Sequence, residues 1–271
     1  MIRSILRYGM RPLQGGALGG SGFCDWSFLS RFTFDAADEI FPVWSPDGAR
    51  IAFSSNRRTG QQNLYLKPTG GGETEELILE SGQPKFATDW SPNGHFLLYF
   101  SAEQKTGFDI WALAVDGDRK PFPVVQTNFD ERLAQFSPDG NWIAYESNES
   151  GRVEIYLQPF AGLENKVGVK LPISTNGGAQ VSWRHDGKEL FYIALDGRLM
   201  SVPIRFASNG HALEPGVPVP LFDARLNALH AFPRHEYAVS QDGQRFLINV
   251  EEPSTMPITV ILNWKANHIA R

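Results

Sequence analysis

A segment of about eleven residues recurs five times along the chain. Each copy contains an apolar or aromatic residue, a turn with Asp or Asn before Gly, and an apolar run. The copies are VWSPDGARIAF at 43–53, DWSPNGHFLLYF at 89–100, QFSPDGNWIAY at 135–145, SWRHDGKELFY at 182–192 and AVSQDGQRFLI at 238–248. The residues that directly follow the aromatic or apolar position align at intervals of 46, 46, 47 and 56 residues, counted between Ser45, Ser91, Ser137, Arg184 and Ser240. Such a regular period predicts a repeat architecture.

Each copy predicts a β-hairpin followed by further strands. Asp or Asn before Gly tolerates the positive backbone angles of a tight turn, and Pro precedes the turn in three copies. The runs RIAFSS and FLLYFS that follow are typical of strands buried on at least one face. A third strand is predicted at NLYLKP, DIWALA, EIYLQP, RLMSVP and ITVILNW, and a weaker fourth strand at EELILE, FPVVQ, VKLPIS and VPLF.

Four antiparallel strands in about 46 residues are typical of a propeller blade. We find no run with helical periodicity, and Gly and Pro together make 44 of the 271 residues, as many tight turns require. The sequence therefore predicts an all-β fold, a β-propeller of about five four-stranded antiparallel blades. Residues 28–264 form the predicted propeller, residues 1–27 an atypical lead, and residues 265–271 a tail.

The closure of the ring is open at this point. Residues 28–35 are typical of an outer strand without its inner partners, and the last repeat lacks its fourth strand. If the N-terminal strand supplies the missing one, a five-bladed ring closes and no sheet edge is left free. The alternative is a fragment of a propeller with six to eight blades.

The segment FPVWSPDGARIAFSSNRRTGQQNLYLKPTGG resembles the TolB-type, WD-repeat-like propeller repeat. The resemblance covers roughly residues 31–264 and is specific in the first three copies, whereas the fourth has Arg184 and His185 in place of Ser-Pro. It extends to the C-terminal propeller of bacterial receptor-type serine/threonine kinases and to the propellers of prolyl oligopeptidases. The resemblance implies a periplasmic or extracytoplasmic location, although residues 1–27 contain no apolar run of signal-peptide length.

Composition and missing motifs exclude several functions for the chain as given. A net charge of -5 argues against a nucleic-acid partner. The sequence contains no stretch of 18 apolar residues, so no membrane span is predicted. The single cysteine, Cys24, excludes an internal disulfide and a multi-cysteine zinc site. Neither kinase motifs nor a Gly-x-Ser-x-Gly elbow occurs, so we expect no cofactor and no catalytic residue of those classes.

Function is expected at the end of the propeller opposite the Asp-Gly turns, here called the upper face. The loops between second and third strands and the connections between blades meet there, close to the central channel. Arginine in such loops suits an acidic or peptide partner. The candidate binding residues are Arg57, Arg58, Asp89, Asp130, Glu131, Arg132, Gln180, His230, Arg234 and His235. The sequence thus predicts a non-enzymatic module that binds a protein or peptide.

Two other functions are consistent with the residues. His230 and His235 lie in the one lengthened spacing and could serve a metal-dependent lyase or hydrolase, although no third ligand is visible. The chain could also be the ligand-sensing part of a receptor kinase. The repeated Asp residues are expected to stabilise turns, and Trp44, Trp90 and Trp183 to pack between blades, so neither set is predicted to bind a ligand.

Overall fold

The computed structural model describes residues 6–7, 30–70, 74–164, 168–206, 213–226 and 234–249. His230 and the strand predicted at 258–264 lie outside the described residues, as do most of residues 1–27 and the tail. The described chain is almost entirely β structure, with one short 3-10 helix at Gly162–Glu164. Among the described residues, no helix is long and apolar enough to cross a membrane.

The strands form successive antiparallel sheets that follow the sequence repeat. Blade 1 comprises Glu39–Trp44, Arg50–Ser55, Asn63–Pro68 and Glu76–Leu79. Blade 2 comprises Lys85–Trp90, Phe96–Glu103, Gly107–Ala114 and Pro121–Val125, and blade 3 comprises Glu131–Phe136, Trp142–Ser147, Glu154–Pro159 and Leu171–Pro172. Blade 4 comprises Ala179–Trp183, Glu189–Ile193 and Arg198–Phe206, with both Leu213–Pro215 and Val219–Asp223 pairing to the third strand. Blade 5 is described for Tyr237–Val239 and Phe246–Ile248.

The Asp side chains of the repeat stabilise the hairpin turns, as the sequence predicts. Asp47 accepts hydrogen bonds from the Ser45 hydroxyl at 2.5 Å and from the Ala49 amide at 2.9 Å. The same pattern recurs at the later turns, with Asn93, Asp139 and Asp242. In blade 4, where serine is replaced, Arg184 makes two hydrogen bonds of 2.7 Å to Asp186. The ion pair therefore replaces the hydroxyl in fixing that turn.

Hydrophobic clusters fill the spaces between neighbouring blades. Trp90 packs with Val43 and Leu64 of blade 1, and Trp183 packs with Leu157 of blade 3. These two tryptophans lie in the core, as predicted. Trp44 differs, since 38% of its surface is exposed. Trp90 and Trp183 each pack on the preceding blade. Trp44 belongs to the first blade, so the blade that would cover it is the one that closes the ring.

The N-terminal segment packs against the face of blade 1 that points away from blade 2. Phe32 is buried against Ile51, Phe53 and Tyr65, on the face of blade 1 that points away from blade 2. Ser30–Arg31 pairs with Leu6–Arg7. The segment thus occupies the position expected for a closing strand, while its predicted pairing with the last blade involves residues outside those described.

The innermost strands carry β-bulges at equivalent positions. Phe41, Leu133 and Gln180 adopt positive φ angles of 55°, 49° and 57°, each four residues before the aligned position of its repeat. The strand register shifts at each of these places. Non-glycine residues rarely adopt such angles, at a cost of about 1 to 3 kcal/mol each. Bulges turn side chains out of the regular alternation, and here they change which side chains reach the axis.

Candidate functional site

Arg57, the first candidate residue of the upper face, forms its ion pairs within the fold. Its guanidinium forms ion pairs with Glu39 and Glu75 and lies 4.6 Å from the centre of the Tyr65 ring. Burial raises the pKa of Glu39, whereas hydrogen bonds from Arg57 and Lys67 overcome burial and keep the pKa of Glu75 below its usual value. Arg58, by contrast, is 65% exposed and lies 3.8 Å from Glu80. Of these two adjacent candidates, Arg58 is the accessible one.

The connection between blades 2 and 3 presents Arg132 in a fixed position. The Asp130 carboxylate accepts hydrogen bonds from the Phe108 amide at 3.0 Å and from the Arg132 guanidinium at 2.8 Å. Arg132 also stacks 4.8 Å from the centre of the Phe108 ring. Gly107 is required there, because its φ is 91° and a Cβ would lie 2.5 Å from the Asp130 carboxylate. Phe129, next to Asp130, is 44% exposed.

A polar network continues from this rim toward the axis. Arg132 lies opposite Glu146 in the sheet of blade 3, and Glu146 accepts a hydrogen bond of 2.6 Å from the Gln180 amide of blade 4. The Gln180 side-chain oxygen accepts from the Glu236 amide of blade 5 at 2.9 Å. The Gln180 side-chain nitrogen is buried and has no hydrogen-bond partner among the described residues. Three blades are therefore linked through residues of their innermost and second strands.

His235 reaches the same network from blade 5. Its Nε2 lies 3.5 Å from the side-chain nitrogen of Gln135 in blade 3. The contact therefore joins two blades that are separated in sequence by blade 4. Burial lowers the pKa of His235 to about 4, so the imidazole is neutral at pH 7 and can accept the Gln135 hydrogen bond. Arg234 forms a 2.8 Å ion pair with Glu236.

Burial also raises the pKa values of two carboxyl groups near the axis. The pKa of Glu146 rises to about 7, although the Gln180 amide and the charge of Arg132 oppose the shift. The pKa of Asp89 also rises to about 7, although its carboxylate accepts the Phe136 amide of blade 3 at 2.7 Å. Asp89 lies within the innermost strand of blade 2 and joins it to blade 3. Asp89, a candidate binding residue, therefore also links two blades.

Sequence reasoning missed a buried polar residue near the start of the third strand in blades 1, 2 and 3. Asn63 accepts the Ser81 amide at 3.3 Å, Asp109 accepts the Gln126 side chain at 3.0 Å, and Glu154 accepts the Gly177 amide at 2.8 Å. In each case the donor belongs to the connection that leads to the next blade. The signal was present as a polar residue before the apolar strand in NLY, DIW and EIY. Glu131, a predicted surface candidate, is likewise buried at such a joint.

The network offers hydrogen-bond donors and a cation, rather than a set of metal ligands. Among the described residues, no group of three or more His, Cys, Asp or Glu side chains is placed to hold a metal ion. His230 is outside that part of the chain. Arg132 and Gln180 together supply donors from the rim to the axis, and such donors suit carboxylate or carbonyl oxygens.

Solved structures share this architecture. TolB from Acinetobacter baumannii is 19% identical, with a TM-score of 0.62, covering 82% of this chain and 51% of that protein. A putative TolB from Agrobacterium tumefaciens is 20% identical, with a TM-score of 0.58, covering 74% of this chain and 72% of that one. The chain has the β-propeller fold of these TolB structures. The predicted fold class is thereby confirmed.

Sequence relatives match shorter regions of the chain. An uncharacterised protein of Agrobacterium fabrum is 29% identical over 117 residues, covering 41% of this chain and 37% of the relative. The Tol-Pal system protein TolB of Alcanivorax borkumensis is 39% identical over 56 residues, or 21% of this chain and 13% of the relative. The matches thus span well under two thirds of these relatives. No family model matches the chain.

The same fold also occurs in a protein named as an enzyme. An oligogalacturonate lyase in complex with manganese has a TM-score of 0.54 at 11% identity, covering 79% of this chain and 59% of that protein. At such identity only the fold is shared. The chemistry of this chain has to be argued from its own residues.

Proposed function

We propose that this TolB-type propeller is a non-enzymatic binding module that engages a protein or peptide through its upper face and central channel. The observation that carries the proposal is the continuous polar path from Arg132 through Glu146 to Gln180, which contains a buried donor without a partner among the described residues. A buried unpaired donor costs about 1 to 3 kcal/mol, so a ligand that accepts its hydrogen bond gains that amount.

The preferred partner segment is acidic. Arg132 is held by Asp130 on one side and by the Phe108 ring on another, so little side-chain entropy is lost when it binds a carboxylate. The exposed Phe129 beside it adds an aromatic contact of the kind that dominates protein interfaces. A rigid arginine next to an exposed aromatic side chain can thus serve as the centre of an interface.

Replacing Arg132 with Glu tests this face. Peptides that bind the folded chain are first selected from a displayed random library, and their dissociation constants are measured by calorimetry. We expect binding to weaken by at least tenfold in Arg132→Glu, because the ion pair becomes a repulsion. Lys188→Glu is the matched control, since it makes the same charge change at an exposed residue of a lower-face turn.

The control should bind within about threefold of the wild type. Thermal melts of both variants establish that the fold is retained. Equal affinity of Arg132→Glu and the wild type for every selected peptide contradicts the proposed face.

A metal-dependent lyase or hydrolase is the second candidate, favoured by the fold shared with the manganese-containing lyase and by the neutral imidazole of His235. We expect purified protein incubated with manganese and dialysed to retain well under one equivalent of metal. Elemental analysis measures this directly. Stoichiometric metal that disappears in the double variant His230→Ala with His235→Ala contradicts the binding-module proposal.

A further inference from the structure

In blades 1 to 3, a buried polar residue of the third strand lies at the joint with the next blade. At the first joint, the Lys85 ammonium group donates to the Asn63 side-chain oxygen at 3.4 Å. A donor and an acceptor therefore meet there. At the second joint the equivalent residues are Asp109 and Glu131, so two carboxyl groups occupy the positions of an amide and an ammonium group.

Both carboxyl groups are fully buried. One oxygen of Asp109 accepts hydrogen bonds from the Thr106 hydroxyl at 2.6 Å and from the Gln126 amide at 3.0 Å. One oxygen of Glu131 accepts from the Thr127 hydroxyl at 2.5 Å and from the Ser147 hydroxyl at 3.3 Å. The other oxygen of each group is buried and has no hydrogen-bond partner among the described residues.

Among the described residues, hydroxyl and amide groups donate to the two carboxyls, and the titratable groups that interact with Glu131 are Asp109 and Tyr145, both acids. Burial disfavours the charged form of Glu131, and a neighbouring carboxylate repels it. A proton on Glu131 relieves both effects.

We propose that Glu131, buried beside Asp109, holds a proton in the folded chain and loses it as the solution becomes alkaline, so that the joint between blades 2 and 3 is a pH-sensitive latch. The Gln126 and Thr127 side chains, which hold the pair, belong to the connection that carries Phe129 and Asp130. Loss of the proton therefore loosens this connection. The inference concerns the stability of the joint and does not depend on the proposed binding function.

The electrostatics of Glu131 agree with this arrangement. Burial, followed by the charge of Asp109, raises the pKa of Glu131 to about 7, against an ordinary value of 4.5. The folded pKa lies above the unfolded one, so the folded joint binds more protons than the unfolded chain between these values. The joint is most stable in mild acid and weakens as the pH rises through about 7.

Hydrogen exchange of the 126–131 amides tests the latch. After correction for the intrinsic exchange rate, we expect the opening equilibrium constant of the wild type to increase by about 10- to 100-fold between pH 5.5 and 8.5, since each pKa unit corresponds to about tenfold. The decisive variant is Glu131→Gln, which removes the titrating group at nearly the same size. Its side-chain oxygen can keep the hydrogen bonds from the Thr127 and Ser147 hydroxyls.

Glu131→Gln should therefore change its opening constant by less than about threefold over the same pH range. Asp118→Asn is the matched control, because Asp118 is 85% exposed in blade 2, and it should retain the wild-type response. An unchanged wild-type opening constant from pH 5.5 to 8.5, or a wild-type response in Glu131→Gln, overturns the proposal. If Glu131→Gln does not fold, carbon NMR of the wild-type side-chain carboxyls decides, since titration of Glu131 near pH 4.5 is equally contradictory.

Discussion

Replacing Arg57 with Met is expected to lower the free energy of unfolding by about 3 to 5 kcal/mol. Arg57 is 13% exposed and pairs with Glu39, whose side chain is fully buried, and with Glu75. Methionine preserves much of the contact with the Phe53 and Tyr65 rings but leaves both carboxylates without their guanidinium. The loss should be greater at pH 8 than at pH 5, because protonation in acid removes the unpaired negative charges.

Arg58→Met provides the matched control. Arg58 is the adjacent residue, but it is 65% exposed and its nearest described carboxylate, that of Glu80, is 3.8 Å away. Exposed ion pairs contribute between 0 and about 1 kcal/mol, so this variant should unfold close to the wild type. Urea denaturation at pH 5 and pH 8 measures both changes.

The outcome separates two roles that the sequence could not distinguish. A large loss for Arg57→Met with none for Arg58→Met assigns Arg57 to the fold and leaves Arg58 as the candidate for binding. Equal, small losses in the two variants are incompatible with the buried ion cluster.

Replacing Glu146 with Gln is expected to stabilise the protein in alkaline solution. The pKa of Glu146 is raised by burial to about 7, compared with 4.5 in the unfolded chain. That shift corresponds to a destabilisation of at most about 3 kcal/mol once the group is ionised. Glutamine is similar in size, remains neutral and can still accept the Gln180 amide through its oxygen. The variant should therefore be more stable than the wild type by up to about 3 kcal/mol at pH 8.5.

The pH profile gives the sign of the effect. Because the folded pKa exceeds the unfolded one, the wild type binds more protons when folded, and its stability falls as the pH rises from about 4.5 to above 7. Asp89 and Glu131, whose pKa values burial also raises to about 7, contribute in the same direction. His235 acts oppositely: its pKa is lowered to about 4 by burial, so stability is lost as the pH falls from 6.5 toward 4. Three raised carboxyls outweigh one lowered imidazole, so these groups together make stability fall between about pH 5 and pH 8.

Urea midpoints measured from pH 5 to 9 check this prediction. Glu146→Gln should match the wild type near pH 5 and exceed it increasingly above pH 6. Asp118→Asn, an exposed acid in blade 2, should follow the wild-type curve throughout. A variant less stable than the wild type at pH 8.5 shows instead that the negative charge of Glu146 stabilises Arg132 by more than its burial costs.

Much of the fold could be predicted from local sequence. The Asp-Gly and Asn-Gly turns depend on short-range hydrogen bonds, such as those of Asp47, and the strands on short apolar runs. The period of the repeat then predicts the blades. Trp44 departs from the prediction because its burial depends on a neighbouring blade, and not on its own repeat.

The candidate site was predictable only as a set of loops. The sequence placed Arg57, Glu131 and Arg132 at the upper face alike, but the structure engages Arg57 in an ion cluster, buries Glu131 at a joint and holds Arg132 at the rim. These differences arise from contacts between residues of different strands and blades, which no local pattern encodes.

The all-β class, the repeating blade and the roles of its turns could be predicted because each depends on interactions within a few residues. Which charged and polar groups meet depends on how the blades pack. Asp109 lies 22 residues before Glu131, and Gln135 lies 100 residues before His235, yet the members of each pair interact in the folded chain. The burial and pairing of charged groups depend on the surrounding blades, since desolvation is set by everything packed around a group rather than by its neighbours in sequence.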